Sequence, residues 1–241
     1  MSNEIPQADI HAKLQSASPQ DILRHALKEH DQIAVSFSGA EDVVLVHMAS
    51  EIRPGVNVFC LDTGRLHSET YAFIEKVRKT YDIKLDILFP NSGLVEKLVN
   101  EKGLFSFYED DHKECCSIRK VGPLRNKLLE LDGWITGQRK DQSPGTRADI
   151  PVVQIDRAFS RPGETLMKYN PLSNWSSQQV WDYIHAMDVP YNPLHEQGYI
   201  SIGCEPCTRP VAPGQHERSG RWWWEEATKK ECGLHETNIS K

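Results

Sequence analysis

The chain has 241 residues, 39% of them hydrophobic and 26% charged, with 28 Lys and Arg against 34 Asp and Glu for a net charge of −6. This balance is ordinary for a globular protein, contains no apolar run near the ~20 residues of a membrane span, and argues against a broadly basic nucleic-acid surface. The opening MSNEIPQADI has neither the basic nor the apolar region of a secretory leader, so a cytoplasmic location is expected.

Taken in chain order, Ser18-Pro19 ahead of residues 21–30 reads as a capped amphipathic helix. Residues 33–38 read as a buried strand, and 41–51 as a helix with apolar Val43, Val44, Val46 and Met48. A second strand is expected at 56–61, a helix at 68–81, a third strand at 84–89 and a helix near 94–102. Residues 134–136 make a short strand and 176–187 a late helix. Strands alternating with helices imply an α/β fold with a doubly wound, mostly parallel sheet. Ligands in such sheets bind at the carboxyl ends of the strands, here the loops 36–41, 62–65, 89–93 and 136–140. Beyond about residue 188 periodicity fades, which marks a wrapped extension or a mobile tail.

Four groups of residues carry chemistry. Ser36-Phe-Ser-Gly-Ala-Glu-Asp42 lies between a strand and a helix, where Gly39 lets the backbone turn and the following amides face an anion. The same loop also reads as an ordinary turn with a serine cap. It resembles the phosphate loop of the ATP pyrophosphatase superfamily, Ser-Gly-Gly-x-Asp-Ser, but departs from it at Ala40 and Val43, which favours a phosphoryl group smaller than a triphosphate. Cys115-Cys116 together with Cys204-Glu-Pro-Cys207 forms a complete thiolate set for an iron–sulfur cluster or a structural zinc. The adjacent pair is unusual for zinc. Cys232 sits in Lys229-Lys-Glu-Cys-Gly-Leu-His235, where cations can stabilise a thiolate, and the motif taken alone reads equally as an inert cysteine in a tail. Arg119, Lys120, Arg139, Lys140, Arg147, Arg218 and Arg221 stand in or beside Gly-, Ser- and Pro-bearing loops that suit anion binding. Residues 113–168 carry a local charge of +4, in keeping with such a site. The run Trp222-Trp-Trp224 cannot face one core in its entirety.

Together these segments, with Leu61-Asp-Thr-Gly-Arg-Leu-His67, Trp134-Ile-Thr-Gly-Gln-Arg139, Ser143-Pro-Gly-Thr-Arg147 and Gly220-Arg-Trp-Trp-Trp224, resemble the bacterial assimilatory adenylylsulfate (APS) reductases of the iron–sulfur type. The resemblance implies an adenine nucleotide alpha hydrolase-like fold, with residues 1–217 as the nucleotide-binding α/β domain and 218–241 as a mobile C-terminal tail. It implies a [4Fe–4S] cluster on Cys115, Cys116, Cys204 and Cys207, and Cys232 as the nucleophile that forms an S-sulfo intermediate. Lys120, Arg147, Arg218 and Arg221 would surround the phosphosulfate, and Ser36, Ser38, Gly39, Glu41, Leu61 and Gly137 would lie near the nucleotide. AMP and sulfite would be the products, thioredoxin the reductant, and sulfate assimilation toward cysteine biosynthesis the setting, with no nucleic acid or membrane involved. A homo-oligomer stays open. A reductase for 3′-phosphoadenylylsulfate (PAPS), a dual-specificity enzyme, a thiolase of the same superfamily and a non-catalytic iron–sulfur protein are the rival readings.

Overall fold

A computed structural model describes residues 7–109, 112–142 and 147–225. Cys232 and its neighbours lie outside the described residues. Helix α1 (Gln7–Leu14) precedes α2 (Pro19–Glu29), whose start follows from its sequence: the Ser18 hydroxyl accepts the Asp21 amide at 3.1 Å, and Pro19 occupies the first turn, where its missing N–H is no loss. The chain then alternates β1 (Ile33–Ser36), α3 (Ala40–Ile52), β2 (Val56–Leu61), α4 (Ser68–Thr80), β3 (Ile83–Leu88) and α5 (Ser92–Lys102). A short α6 (Lys113–Cys116) passes through a π-helical turn, Ser117–Val121, into α7 (Gly122–Leu128). Strand β4 (Gly133–Ile135), β5 (Val153–Ile155), β6 (Met167–Tyr169) and α8 (Ser177–Ala186) complete the regular elements. The last is fixed by a reciprocal cap between Ser176 and Gln179.

The six strands form one sheet in the order β3-β2-β1-β4-β6-β5, parallel throughout except for β5 at the edge. Val35 stands between Val58 and Ile135 in register. Side chains alternate across the sheet as a pleat requires. Val35, Val58 and Ile135 join a core that also contains Leu23, Val44 and Ile184 of the helices on that face. Ala34, Phe59 and Trp134 point the other way, against Leu124 and Leu128 of α7. Strand order reverses between β1 and β4, and the crevice at such a switch point is where this architecture binds ligands.

The expected doubly wound sheet is therefore present, with differences in detail. Strand β1 ends at Ser36, because Phe37 and Ser38 already turn toward the loop that starts α3. The 89–93 loop takes no part in the central cleft, since β3 is the outer strand and Phe89 beyond it is 64% exposed. Residues 203–225 fold back across the carboxyl ends of the strands, pairing Cys204 with Leu66 and Arg221 with Thr208. The first eight residues of the expected tail, 218–225, thus pack on the body, with Trp222 almost fully buried. Among the described residues no helix is long and apolar enough to cross a membrane.

Candidate active site

A cleft of about 220 Å³ opens at the β1–β4 switch point. Its floor is the loop after β1, and the floor is organised by one carboxylate. Asp42 accepts the Ser38 amide (2.9 Å), the Ser38 hydroxyl (2.7 Å) and the Gly39 amide (3.1 Å), and its other oxygen accepts the Gly137 amide at 2.9 Å. The Ser38 and Gly39 amides are thus turned inward, and the anion-facing donors expected of this loop can begin only beyond Gly39. Burial pushes the Asp42 carboxyl up to about 6, with the neighbouring Glu41 charge adding to the effect against the hydrogen bonds from Ser38 and Gly137. Gly137 is required by this closeness: a β-carbon there would stand 2.5 Å from Asp42 Oδ1 and 2.7 Å from Glu41 Cβ.

Beside it, Glu41 accepts Arg139 at 2.9 Å and Gln142 at 3.0 Å. Burial opposes its ionisation, but Arg139 overcomes it and holds the carboxyl below its usual range. Arg139 is buried at 1% exposure and also reaches Glu217 and Asp141, each at 3.3 Å. The sequence placed Arg139 and Lys140 among anion-binding candidates; Arg139 is instead an internal tie between the α3 loop and the turn carrying Arg218, and Lys140 donates to Asn174 at the surface.

The cations of the cleft come from three other segments. Lys120 enters from the π-helical turn, Arg147 from the loop after β4, and Arg218 and Arg221 from the returning C-terminal segment. Lys120, Arg218 and Arg221 also surround the ring of Trp222, at 5.7, 5.9 and 4.4 Å from its centroid. Gly203 lets Arg221 pass, since a β-carbon there would meet its guanidinium at 2.5 Å. Trp222 itself adopts φ +37°, uncommon for a residue with a side chain. Behind it His112 stacks at 4.3 Å and pairs with Glu225 at 2.7 Å. Of the tryptophan run, Trp222 is thus the buried hub, Trp224 is half-buried and Trp223 is exposed. Ser36, Ser38, Gly39, Glu41, Leu61, Lys120, Gly137, Arg147, Arg218 and Arg221 all line this one cleft.

Adjoining it, Cys115, Cys116, Cys204 and Cys207 line a second, small cavity with Arg119 and Lys120. Thr63 lies 3.2 Å from the Cys204 sulfur, and Arg119 donates to the Thr63 carbonyl at 2.7 Å. Burial opposes ionisation of Cys204, yet Lys120, Thr63, Arg221 and Arg119 together hold its thiol below the usual range. Burial pushes Cys207 up to about 12 and raises Cys115. Among the described residues no three His, Cys, Asp or Glu groups could hold a single metal ion. The donor set, four thiols around one cavity beside cations, is chemically one that a thiophilic metal ion or cluster takes. Cys60, the remaining described cysteine, is buried in β2 and pushed up to about 12 by burial, with Asp42 and Asp62 adding to it.

Sequence reasoning missed Asp42 as the organiser of the loop, the Arg139 tie and the Trp222 hub. Asp42 had a signal, its place at the end of the loop motif; the other two exist only through tertiary contacts.

A profile of the phosphoadenosine phosphosulfate reductase domain matches residues 32–210. The chain is 59% identical over 240 residues to the adenosine 5′-phosphosulfate reductase of Pseudomonas aeruginosa (strain LESB58), covering 99% of this chain and 90% of that protein. The crystal structure of phosphoadenylyl-sulfate (PAPS) reductase from Candida auris superposes with a TM-score of 0.70 at 29% identity, over 88% of this chain and 98% of that one. The fold alone is shared with Candida glabrata FMN adenylyltransferase, at a TM-score of 0.55 and 12% identity over 96% of this chain and 80% of the other.

Proposed function

The chain belongs to the APS/PAPS reductase family, and from that premise we propose that it reduces APS to sulfite and AMP in sulfate assimilation. The observation that carries the choice of APS is the 59% identity, over 99% of this chain, to a relative named adenosine 5′-phosphosulfate reductase, with the cation-lined cleft beside four thiols as the site for it.

In this reading Lys120, Arg147, Arg218 and Arg221 bind the phosphosulfate, and the loop from Ser36 to Asp42 with Leu61 and Gly137 receives the nucleotide. The Cys232 thiolate attacks the sulfur of APS. A sulfur–sulfur bond forms, the bond from sulfur to the phosphate oxygen breaks, and AMP leaves with the electron pair. Both the attacking thiolate and the phosphosulfate are anionic, so the four cations screen their repulsion and stabilise the charge gathering on the leaving phosphate. Cys232 is left as an S-sulfo group. A thiolate of an external dithiol such as thioredoxin then attacks the Cys232 sulfur and expels sulfite. Its second thiol resolves the mixed disulfide and returns Cys232 as a thiol. The dithiol supplies the two electrons and ends as a disulfide. Cys115, Cys116, Cys204 and Cys207 would hold a [4Fe–4S] cluster, which when bound supplies an electrostatic and organising influence beside Lys120. A reducing cytoplasm suits the cycle, because Cys232 must return as a free thiol.

Mixing the iron-loaded protein with APS and no reductant should add one SO3 group to the Cys232 peptide, read by mass spectrometry. Cys232→Ser should keep its iron and bind AMP while sulfite release falls on the order of 10⁴-fold or more. PAPS and a no-substrate control form the other arms. Turnover of PAPS at an equal or greater kcat/KM would overturn the assignment of substrate, and an adduct on Cys60 would overturn the assignment of nucleophile.

A further inference from the structure

Next to the cysteine cavity lies a surface that the chemistry above does not use. Leu104 and Phe105 are each 58% exposed, Trp223 is 41% exposed and Tyr108 is 38% exposed. They form a continuous patch. Phe105 stacks on Tyr108 at 6.3 Å and 25°, and Tyr108 meets Trp223 at 6.2 Å. Guanidinium groups close both ends, Arg65 lying 5.9 Å from the Phe105 centroid and Arg209 lying 4.9 Å from that of Trp223. The patch is held in place, for the Tyr108 hydroxyl donates to the Pro206 carbonyl at 2.7 Å and Arg65 donates to the Leu104 carbonyl at 2.5 Å. Exposed aromatics beside arginines on a fixed frame are the composition of binding hot spots and are uncommon as bare surface.

Its position says what should sit on it. Trp223 is two residues before the last described residue, Glu225, and Cys232 is seven residues beyond Glu225. Seven residues span at most about 24 Å. Counted from Trp223 of the patch the reach is nine residues, at most about 31 Å, and a partner that must touch Cys232 works within it. A standard protein interface covers about 800 Å² on each partner, a disc roughly 30 Å across. That footprint is of the same order as the reach of Cys232, so the patch lies within the surface that a protein presenting a dithiol to Cys232 can cover.

Resting on the proposed function, we propose that Leu104, Phe105, Tyr108 and Trp223 form the docking surface for the protein dithiol that releases sulfite from Cys232. The partner is a small protein with its dithiol on an apolar face, and acidic groups at the rim of that face answer Arg65 and Arg209. The patch concentrates the reductant at the adduct and takes no part in forming it.

The test uses Phe105→Glu and Leu104→Glu in the full iron-loaded chain, with Met187→Glu on the remote α8 side as a control, since Met187 is also exposed (51%). Three quantities are read: the burst of S-sulfo adduct on Cys232 without reductant, steady-state sulfite release with thioredoxin, and the same with dithiothreitol. The expected result is a fall of tenfold or more in kcat/KM for thioredoxin in both patch variants, with the burst, the iron content and the dithiothreitol rate unchanged. Equal loss with both reductants, or loss of neither, overturns the proposal. So does a slowed burst, which would mean that residues 226–241 or the cleft itself depend on the patch. A change of oligomeric state in sedimentation with thioredoxin kinetics intact would assign the patch to a second copy of the chain instead. No burst in the wild-type chain would be a failure of the proposed function, and is read separately.

Discussion

Three cations gathered round one ring repel one another, and the face of Trp222 is what gives Lys120, Arg218 and Arg221 a common attraction. Each such contact contributes about 0.5–2 kcal/mol, the more so when desolvated as here. The ring is buried at 1% exposure, so Trp222→Ala should cost about 3–5 kcal/mol by loss of packing alone. For a chain of this size that lowers Tm by roughly 6–20 °C. Trp222→Phe keeps a π face and should restore most of the stability and activity. Thermal melts followed by circular dichroism check the first claim, and steady-state kinetics on the same variants the second. A Trp222→Ala protein that melted like wild type would mean that the ring organises nothing. At this scale the cationic loops were legible because arginine and lysine recur beside Gly, Ser and Pro. The role of Trp222 was not, since three identical residues in a row differ only in which of them the fold turns inward.

The start of α3 shows how an element is tuned for a site. Its cap residue, Gly39, has no side chain, so Asp42 reaches back one turn to the Ser38 and Gly39 amides and forward to the Gly137 amide after β4. Two strand-end loops are thereby locked together. Gly137→Ala would drive a methyl into Asp42 and Glu41, and overpacking of this kind costs about 1–3 kcal/mol. Calorimetric titration should show AMP affinity falling at least tenfold, with iron content unchanged; unaltered affinity would show that the lock has no bearing on the nucleotide. The long elements were readable from period and caps. Strands β5 and β6 were not, because three residues show no alternation and Met-Lys-Tyr buries Lys168 completely. The helix through Cys115 and Cys116 was not read from the sequence; it runs through the π-helical turn Ser117–Val121 into α7, which carries Pro123 just past that turn.

Across the whole molecule, His25, His30, His47 and His195 are half-buried, and burial holds all four below the usual imidazole range. A base whose folded pKa is depressed contributes stability that is complete above its unfolded value near 6.5 and is lost as pH falls through the folded values. Asp42, raised to about 6, works in the opposite sense: its contribution is present in acid and fades as pH rises. Between pH 7.5 and pH 5.5 the four imidazoles contribute a drop in the urea midpoint, opposed by Asp42 and by Glu217, which burial also raises. His47→Gln, which can keep the 2.9 Å bond to Tyr183, should flatten that drop, and an unchanged slope would remove His47 from the account. The doubly wound, mostly parallel sheet with helices on both faces was legible at this scale, and so was a wrapped extension as one of two readings beyond residue 188; the strand order and the course of residues 203–225 were not, because the latter follows no repeating period. That wrapping has a consequence for how the chain is born. Thr63 meets Cys204 across 141 positions, and Leu66 pairs with the same cysteine. On the ribosome, the amino-terminal strands can pair long before this happens. Until residue 207 has been synthesised, however, the second pair of thiols does not exist, and until residue 222 follows, neither does the ring that gathers the cations. The strands therefore precede the site they will carry, and a chain stopped between Tyr169 and Cys204 would hold all six strands with neither the second thiol pair nor the ring.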